Sequence, residues 1–272
     1  MKDKLKAAIY GLAIGDALGV PVEFRQRGSF KIDDMVGYGT HNQAAGTWSD
    51  DTSMTIATCD SIKECNGINV SDVQERFERW LFNGEYAIDG KVFDCGVTTS
   101  NAIRRGFGED HEMSNGNGSL MRILPLAFTD VRVDDIENVS AITHAHYISK
   151  TACVCYVNIA RNLLKGYQLD EILESLMPGE PFDRLKTIHT LKEHEVKSTG
   201  YVVDTLEAAL WALSTTNSFK DAVLKAVNLG SDTDTVAAVT GGLAGIMYGI
   251  SGIPEEWIKT LRGKEIIEKC LF

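Results

Sequence analysis

Apolar residues recur every three or four positions along most of the chain, and that period predicts helices. Near the start it sets Leu5, Ala8, Ile9, Leu12 and Ala13 on one face of a helix over 4–18. The same spacing predicts helices over 51–65, 70–82 and 97–105, then a short one over 119–128 despite Pro125. Others are expected over 135–143, 149–164, 169–176, 182–193, 202–215, 219–228, 233–248 and 255–261, with a last turn or two over 264–271. The alternation of a half-buried strand is scarce, and 131–133 is too brief to count. No linker or fixed-period repeat interrupts the pattern. The expected fold is all-α: one compact domain over 1–272, about a dozen helices joined by short loops. The glycine-rich stretches 28–46 and 106–118 are loops on that scaffold, where sites are commonly built.

Composition narrows the function. The chain has 272 residues, 44% hydrophobic and 24% charged, an ordinary globular balance that excludes collagen-like and disordered classes. Lys and Arg number 27 against 38 Asp and Glu, a net charge of −11. Such a chain repels a phosphate backbone, so nucleic acid is not an expected partner. Cysteines at 59, 65, 95, 153, 155 and 270 form no CxxC pair, which fits reduced thiols rather than a zinc site or a disulfide framework. Lys2, Lys4 and Lys6 ahead of an apolar run imitate a signal peptide, but Asp3 and Asp16 bracket the run and no small-residue cleavage site follows. The run 236–250 is short of a membrane span and contains four glycines. A soluble, cytoplasmic, monomeric protein without a membrane partner is expected.

Four segments carry candidate chemistry. In the first, Ser49, Asp50, Asp51 and Thr52 stand together just before a helix. One such residue suffices to cap a helix, and adjacent carboxylates repel unless a positive charge sits between them. The second, Gly230 to Val236, puts Asp232, Asp234 and Thr235 at another helix start. Capping alone does not require the same excess twice, about 180 residues apart. Four carboxylates with hydroxyls are hard oxygen donors suited to Mg²⁺ or Mn²⁺, and no histidine joins them. The small residues after Asp234, including Ala237, Ala238, Gly241 and Gly245, would let two helix starts meet.

The third segment, Gly11 to Phe24, places three glycines in a helix at a cost of about 1 kcal/mol each relative to alanine, so close packing must offset them. Asp16 there reads as a cap for a neighbouring helix, and Glu23, after the Gly19/Pro21 turn, reads by itself as a surface residue. In the fourth, Ser114-Asn115-Gly116-Asn117-Gly118-Ser119, the glycines expose backbone N–H groups ahead of a predicted helix, a geometry that can cradle a phosphate.

In this order the segments resemble the ADP-ribosylglycohydrolase family, nearest to its dinitrogenase-reductase-activating branch. The strings GLAIGDALGVPVEF, GTWSDDTSM, FDCGVTT, GNGSLMR, THAH, GYVVDTLEAALWA and GSDTDTVAAVTGGLAG carry the resemblance from Gly11 to Tyr248. It implies an all-α fold with a binuclear site between helix N-termini, two divalent metals, and hydrolytic removal of ADP-ribose from modified protein side chains, often arginine. It implies metal ligation by Ser49 (where the family usually has threonine), Asp50, Asp51, Asp232, Asp234 and Thr235. Asp50, Asp51 and Asp234 would share in catalysis, with Glu23 as a mobile acid reaching toward the metals. Asp94 would stand near a guanidinium leaving group. Residues 113–119 would bind the diphosphate, with Ser114, Asn115, Gly116, Asn117, Gly118 and Ser119 in contact, beside His144 and, on the adenosine side, Tyr201.

From the residues alone, Asp94 can equally cap the helix ahead of Thr98, His144 can sit against a helix end, and Tyr201 can belong to the core. Linkages to serine, to a nucleic-acid end or in an ADP-ribosyl metabolite are the alternatives to arginine. A non-catalytic crystallin-like relative would have lost metal carboxylates, and all four are present here. A metal-dependent phosphatase would show His-Asp ligand pairs, and none occurs.

Overall fold

The computed structural model describes residues 1–272. Its helices are α1 (Lys2–Gly19), α2 (Asp50–Cys65), α3 (Val70–Asn83), α4 (Val97–Arg105), α5 (Val133–Ala141), α6 (Tyr147–Leu164), α7 (Leu169–Ser175), α8 (Val202–Ser214), α9 (Phe219–Val227), α10 (Thr233–Tyr248), α11 (Glu255–Thr260) and α12 (Lys264–Cys270). Short 3₁₀ turns punctuate the loops. The only β pairing is three isolated bridges, Tyr38–Gln43, Glu109–His144 and Gly116–Tyr201. The all-α expectation is met.

Two helices form the centre. In α1 every residue from Leu5 to Gly19 except Lys6 is buried, and in α10 every residue from Thr233 to Ile246. A helix apolar on all sides belongs in a core. The stretch Lys2–Val22, with mean hydropathy 1.4, is long and apolar enough to cross a membrane, yet 94% of its apolar window is buried inside the protein. The two helices run antiparallel in backbone contact. A Cβ added at Gly245 would overlap the Ala7 carbonyl, one at Gly241 the Gly11 carbonyl, and one at Gly15 the Ala237 carbonyl. At Gly19 it would meet the backbone of Thr233 and Asp234. This four-residue register brings the end of α1 to the start of α10, where Thr233 Oγ1 donates to the Gly19 carbonyl at 2.8 Å. Helices α6, α8 and α9 pack on α10, and α2 packs on α1, α3 and α12.

The start of α2 is fastened to the same place. Ser49 is its N-cap, its Oγ accepting from the Asp51 N–H at 3.3 Å. Asp16 of α1 accepts from the Ser49 N–H at 2.9 and 3.0 Å, the Thr52 N–H at 3.0 Å and the Thr52 hydroxyl at 2.6 Å. Asp16 is thus the cap for a neighbouring helix that its position predicts. The small residues of α10 pack against α1 rather than against α2, so the two acidic helix starts meet because each is tied to the end of α1.

Two predicted helices are not formed as expected. Over 117–122 the chain makes turns, followed by a 3₁₀ helix at Leu124–Phe128 with Pro125 at its start. Pro125 has no N–H to give the Met121 carbonyl. That carbonyl accepts from the Thr55 hydroxyl instead, at 3.2 Å. The predicted helix over 182–193 is a 3₁₀ stretch at Asp183–Thr190, interrupted at Thr187 (φ −119°, ψ 18°), with a separate turn at Glu193–Glu195. Thr187, Ile188 and Thr190 are β-branched, and the Thr190 hydroxyl donates to the Thr187 carbonyl at 2.7 Å, a local bond that competes with the helix.

The backbone contact makes a stability prediction. Gly241→Ala should gain up to about 1 kcal/mol of helix propensity. The Cβ meets backbone that cannot move aside, so overpacking should outweigh that gain and leave a net loss on the order of 1 to 3 kcal/mol. Urea denaturation measures it, and a midpoint at or above the parent's would contradict backbone contact between α1 and α10.

Candidate active site

Where the starts of α2 and α10 meet the end of α1, carboxylates gather around a cavity of about 280 Å³. Its lining includes Glu23, Asp50, Asp94, Asp232 and Thr235, and no lysine or arginine. Ligand atoms of Glu23, His41, Asp94 and Asp234 lie within 4.8 Å of one another, and so do those of Asp16, Asp51 and Asp234. Asp234 belongs to both groups. The Thr235 hydroxyl donates to Asp51 Oδ2 at 3.3 Å, linking the two predicted clusters across the site. Asn117 Nδ2 donates to Asp232 Oδ2 and to Thr205 Oγ1, each at 2.9 Å, and so orients Asp232.

The electrostatics are unbalanced. Burial, then the neighbouring carboxylates, pushes Asp50, Asp51 and Asp234 well above the ordinary carboxylate range. Burial and Asp232 raise Glu23 to about 8, and burial is the main cause that raises Asp94 to about 7. Asp51 Oδ1, Asp232 Oδ1 and Asp234 Oδ2 are buried without any hydrogen-bond partner, half of the six such side-chain atoms in the chain. Unpaired buried carboxylate oxygens that converge call for a cation. The donors are oxygens on short side chains at two helix starts, so the site fits divalent metal. Asp16 differs from the others: its oxygens are taken up by the N-terminus of α2, and burial leaves it at about 6.

Glu23 is buried, not the surface residue that its position suggests when read alone. Its carboxylate pairs with Nε2 of His41, which also lies 3.8 Å from Asp94 Oδ1. Asp94 does not cap α4, whose N-cap is the backbone of Gly96. Its backbone is left-handed (φ 61°), a conformation that costs a non-glycine residue about 1 kcal/mol, and its side chain joins the acidic cluster. His41 is the residue that sequence reasoning missed. It sits between the rings of Phe24 and Phe93, at 6.1 and 5.3 Å. A lone histidine in a glycine-rich loop follows no period, and nothing in the sequence flags it.

The glycine loop forms the next wall. The Asn117 N–H donates to the Gly200 carbonyl, and the Val202 N–H to the Asn115 carbonyl, both at 3.0 Å. The N–H groups of Gly116 and Gly118 bond to nothing in the protein. Gly116 and Gly200 also border a second cavity of about 450 Å³, where Met113, Ile148 and Tyr201 stand. Tyr201 is therefore at a cavity edge and partly exposed, not in the core. His144 is buried beside Gly116 and Gly118, its imidazole pushed down to about 3 by burial and then by Arg122. Two loop side chains turn inward. Asn115 Oδ1 accepts from Ser149 Oγ at 2.9 Å and its Nδ2 donates to the Glu112 carbonyl at 2.8 Å. Ser119 Oγ accepts from Ser140 Oγ at 2.9 Å. Both side chains are spent on holding the loop: Asn115 borders the second cavity, and Ser119, fully buried, lines neither, contrary to its expected contact with the diphosphate. Ser114 is half-buried and its hydroxyl makes no bond within the protein.

A sequence model of the family described as ADP-ribosylglycohydrolase matches residues 1–271. The chain is 37% identical to a Pseudomonas putida protein named ADP-ribosylarginine hydrolase Tri1, over 98% of this chain and 76% of the relative. It is 31% identical to the ADP-ribosyl-[dinitrogen reductase] glycohydrolase of Rhodospirillum rubrum, over 95% of this chain and 90% of that one. A solved structure described as an ADP-ribosylglycohydrolase-related protein complex superposes with a TM-score of 0.84 at 31% identity, covering 99% of this chain and 95% of its own.

The raised carboxylates predict an inverted pH profile. Glu23 and Asp94 bind protons more tightly folded, at about 8 and 7, than unfolded, so stability falls as pH rises through that window. His144, depressed to about 3, opposes this only below its unfolded value near 6.5. In EDTA the melting temperature should therefore drop between pH 6.5 and 8, and a divalent cation should restore it most at pH 8. A melting temperature that rises across that range in EDTA would contradict the carboxylate assignment.

Proposed function

The chain belongs to the ADP-ribosylglycohydrolase family, and from that premise we propose that it is a metal-dependent hydrolase that releases ADP-ribose from modified arginine side chains of proteins. One observation carries the reading: the carboxylates of Asp50, Asp94 and Asp232, the last with an unpaired buried oxygen, line one cavity with Gly116 and Gly118 of the glycine loop, whose N–H groups are free. The first suits cations beside a ribose, the second an anionic diphosphate, and ADP-ribose presents both chemistries.

Two Mg²⁺ or Mn²⁺ ions would be held by Ser49, Asp50, Asp51, Asp232, Asp234 and Thr235, all of them oxygen donors. When bound, such ions supply positive charge that polarises ribose oxygens and lowers the pKa of water. The residues of the chain supply the rest. The free Gly116 and Gly118 N–H groups take the diphosphate at the loop. Asp50, which lines the cavity, or Asp51 beside it would be the base that acts on the attacking water. Glu23, on the loop that closes one wall, reaches the same group of atoms. Tyr201 at the second cavity offers an aromatic face to the adenosine.

Asp94 supports the choice of arginine. It places a carboxylate in a cavity that contains no lysine or arginine, so a planar guanidinium entering there finds a partner for a paired contact. The relatives from Pseudomonas putida and Serratia proteamaculans, at 37% and 36% identity, are both named as ADP-ribosylarginine hydrolases. The six free cysteines suit a reducing cytoplasm.

The protein with Mg²⁺ should release ADP-ribose from arginine-linked substrate, and release only from serine or nucleic-acid linkages would overturn the arginine reading. Asp94→Ala should lower the rate on the arginine substrate by about 2 to 5 kcal/mol of lost charged contact and leave free ADP-ribose binding nearly unchanged. Asp94→Asn keeps the shape and loses the charge, so it should fail similarly. An Asn variant as active as the parent would remove the support for arginine. Asp234→Asn should weaken Mg²⁺ binding in calorimetry, and unchanged binding would count against its place among the ligands.

A further inference from the structure

Behind the glycine loop lies a buried cation without a carboxylate. The Arg122 guanidinium is fully buried, lies 4.5 Å from the Phe77 ring centroid, and takes part in no salt bridge. Its Nη1 donates to the Val139 carbonyl at 3.2 Å, near the negative C-terminal end of α5, and its Nε has no partner. Its Nη2 donates to the Thr143 hydroxyl at 2.8 Å. That hydroxyl lies 2.8 Å from His144 Nδ1.

The direction of the second bond follows from the first. A guanidinium only donates, so Thr143 Oγ1 accepts from Arg122. The hydroxyl proton is then free to be given, and His144 Nδ1 is the one acceptor within its reach. Were Nδ1 protonated, two donors would converge on one oxygen and a buried hydroxyl proton would have no acceptor, which costs about 1 to 3 kcal/mol. The charge on Arg122 also polarises the hydroxyl and makes it the better donor. We propose that Arg122 and Thr143 are positioning residues that fix His144 as its Nε2–H tautomer, so that the imidazole offers one neutral donor to an anionic oxygen of ADP-ribose at the glycine loop. Burial and Arg122 together keep the ring uncharged. Nε2 has no partner within the protein, and a Cβ placed on Gly116 would lie 3.4 Å from it, so the donor faces the loop. With the free N–H groups of Gly116 and Gly118 it makes a third unpaired donor at the loop.

The ligand half of this proposal rests on the function proposed above, and the tautomer half does not. A long-range ¹H–¹⁵N imidazole spectrum of the ligand-free protein at pH 7 should show His144 protonated at Nε2 and bare at Nδ1. Protonation at Nδ1, or an imidazolium, would overturn the relay in the parent protein without any variant. Thr143→Val removes the hydroxyl at nearly constant shape. It should release the single tautomer and weaken ADP-ribose binding about tenfold, the loss of one hydrogen bond to a charged group. Thr143→Ser should restore both. A Val variant with the parent's spectrum and affinity would overturn the positioning role. A parent protein that fails to bind ADP-ribose would overturn the ligand half, whatever the spectrum shows.

Discussion

Where Gly15 of α1 meets the Ala237 carbonyl of α10, there is no room for a Cβ, and the helices stand as close as their backbones allow. Everything in the acidic site is measured from that line. The register carries Gly19 to the backbone of Asp234, and one turn earlier Asp16 reaches across to cap α2. Asp51 and Asp234, far apart in the chain, are brought together because each is referred to the same helix end. Rigid elements hold site geometry better than loops do, and here the two ligand clusters sit on helix starts anchored to a third helix.

The same convergence is electrostatically costly. Several carboxylates are buried around a cavity without a lysine or arginine, and three of their oxygens are left without a partner. A fold tolerates this when binding returns the energy. The strain is confined to one end of α1, while the core along Leu5, Ile9 and Leu12 is apolar and well covered. Binding chemistry and cohesion therefore occupy opposite ends of one element.

Much of this was legible in the residues. Carboxylates in excess of what capping needs stand out at Asp50–Asp51 and Asp232–Asp234, and Asp16 inside an apolar helix reads as a cap. Three in-helix glycines signal close approach. What was hidden shares a cause: it depends on partners distant in the chain. His41 gains its place only through Glu23 and Asp94. Glu23 is buried only once the 39–41 turn covers it, with Thr40 Oγ1 donating to the Glu23 carbonyl at 2.8 Å. The helix expected over 119–128 fails at Pro125, which leaves the Met121 carbonyl without a helical donor, and the donor that replaces it, a hydroxyl on α2, is one that no local pattern encodes.

The burial of α1 has a consequence for biosynthesis. Thr233 and Gly19, bonded in the finished fold, are 214 residues apart in the chain. A ribosome that has released α1 must therefore add most of the protein before α10 exists to cover it. Through that interval the growing chain displays a segment with the length and hydropathy of a membrane span. Chaperones and targeting factors that sort nascent chains by apolar length would meet α1 before they could meet its partner. Any fragment ending short of α10 would keep that segment uncovered, and so would be marked for capture or degradation by the very helix that organises the complete protein.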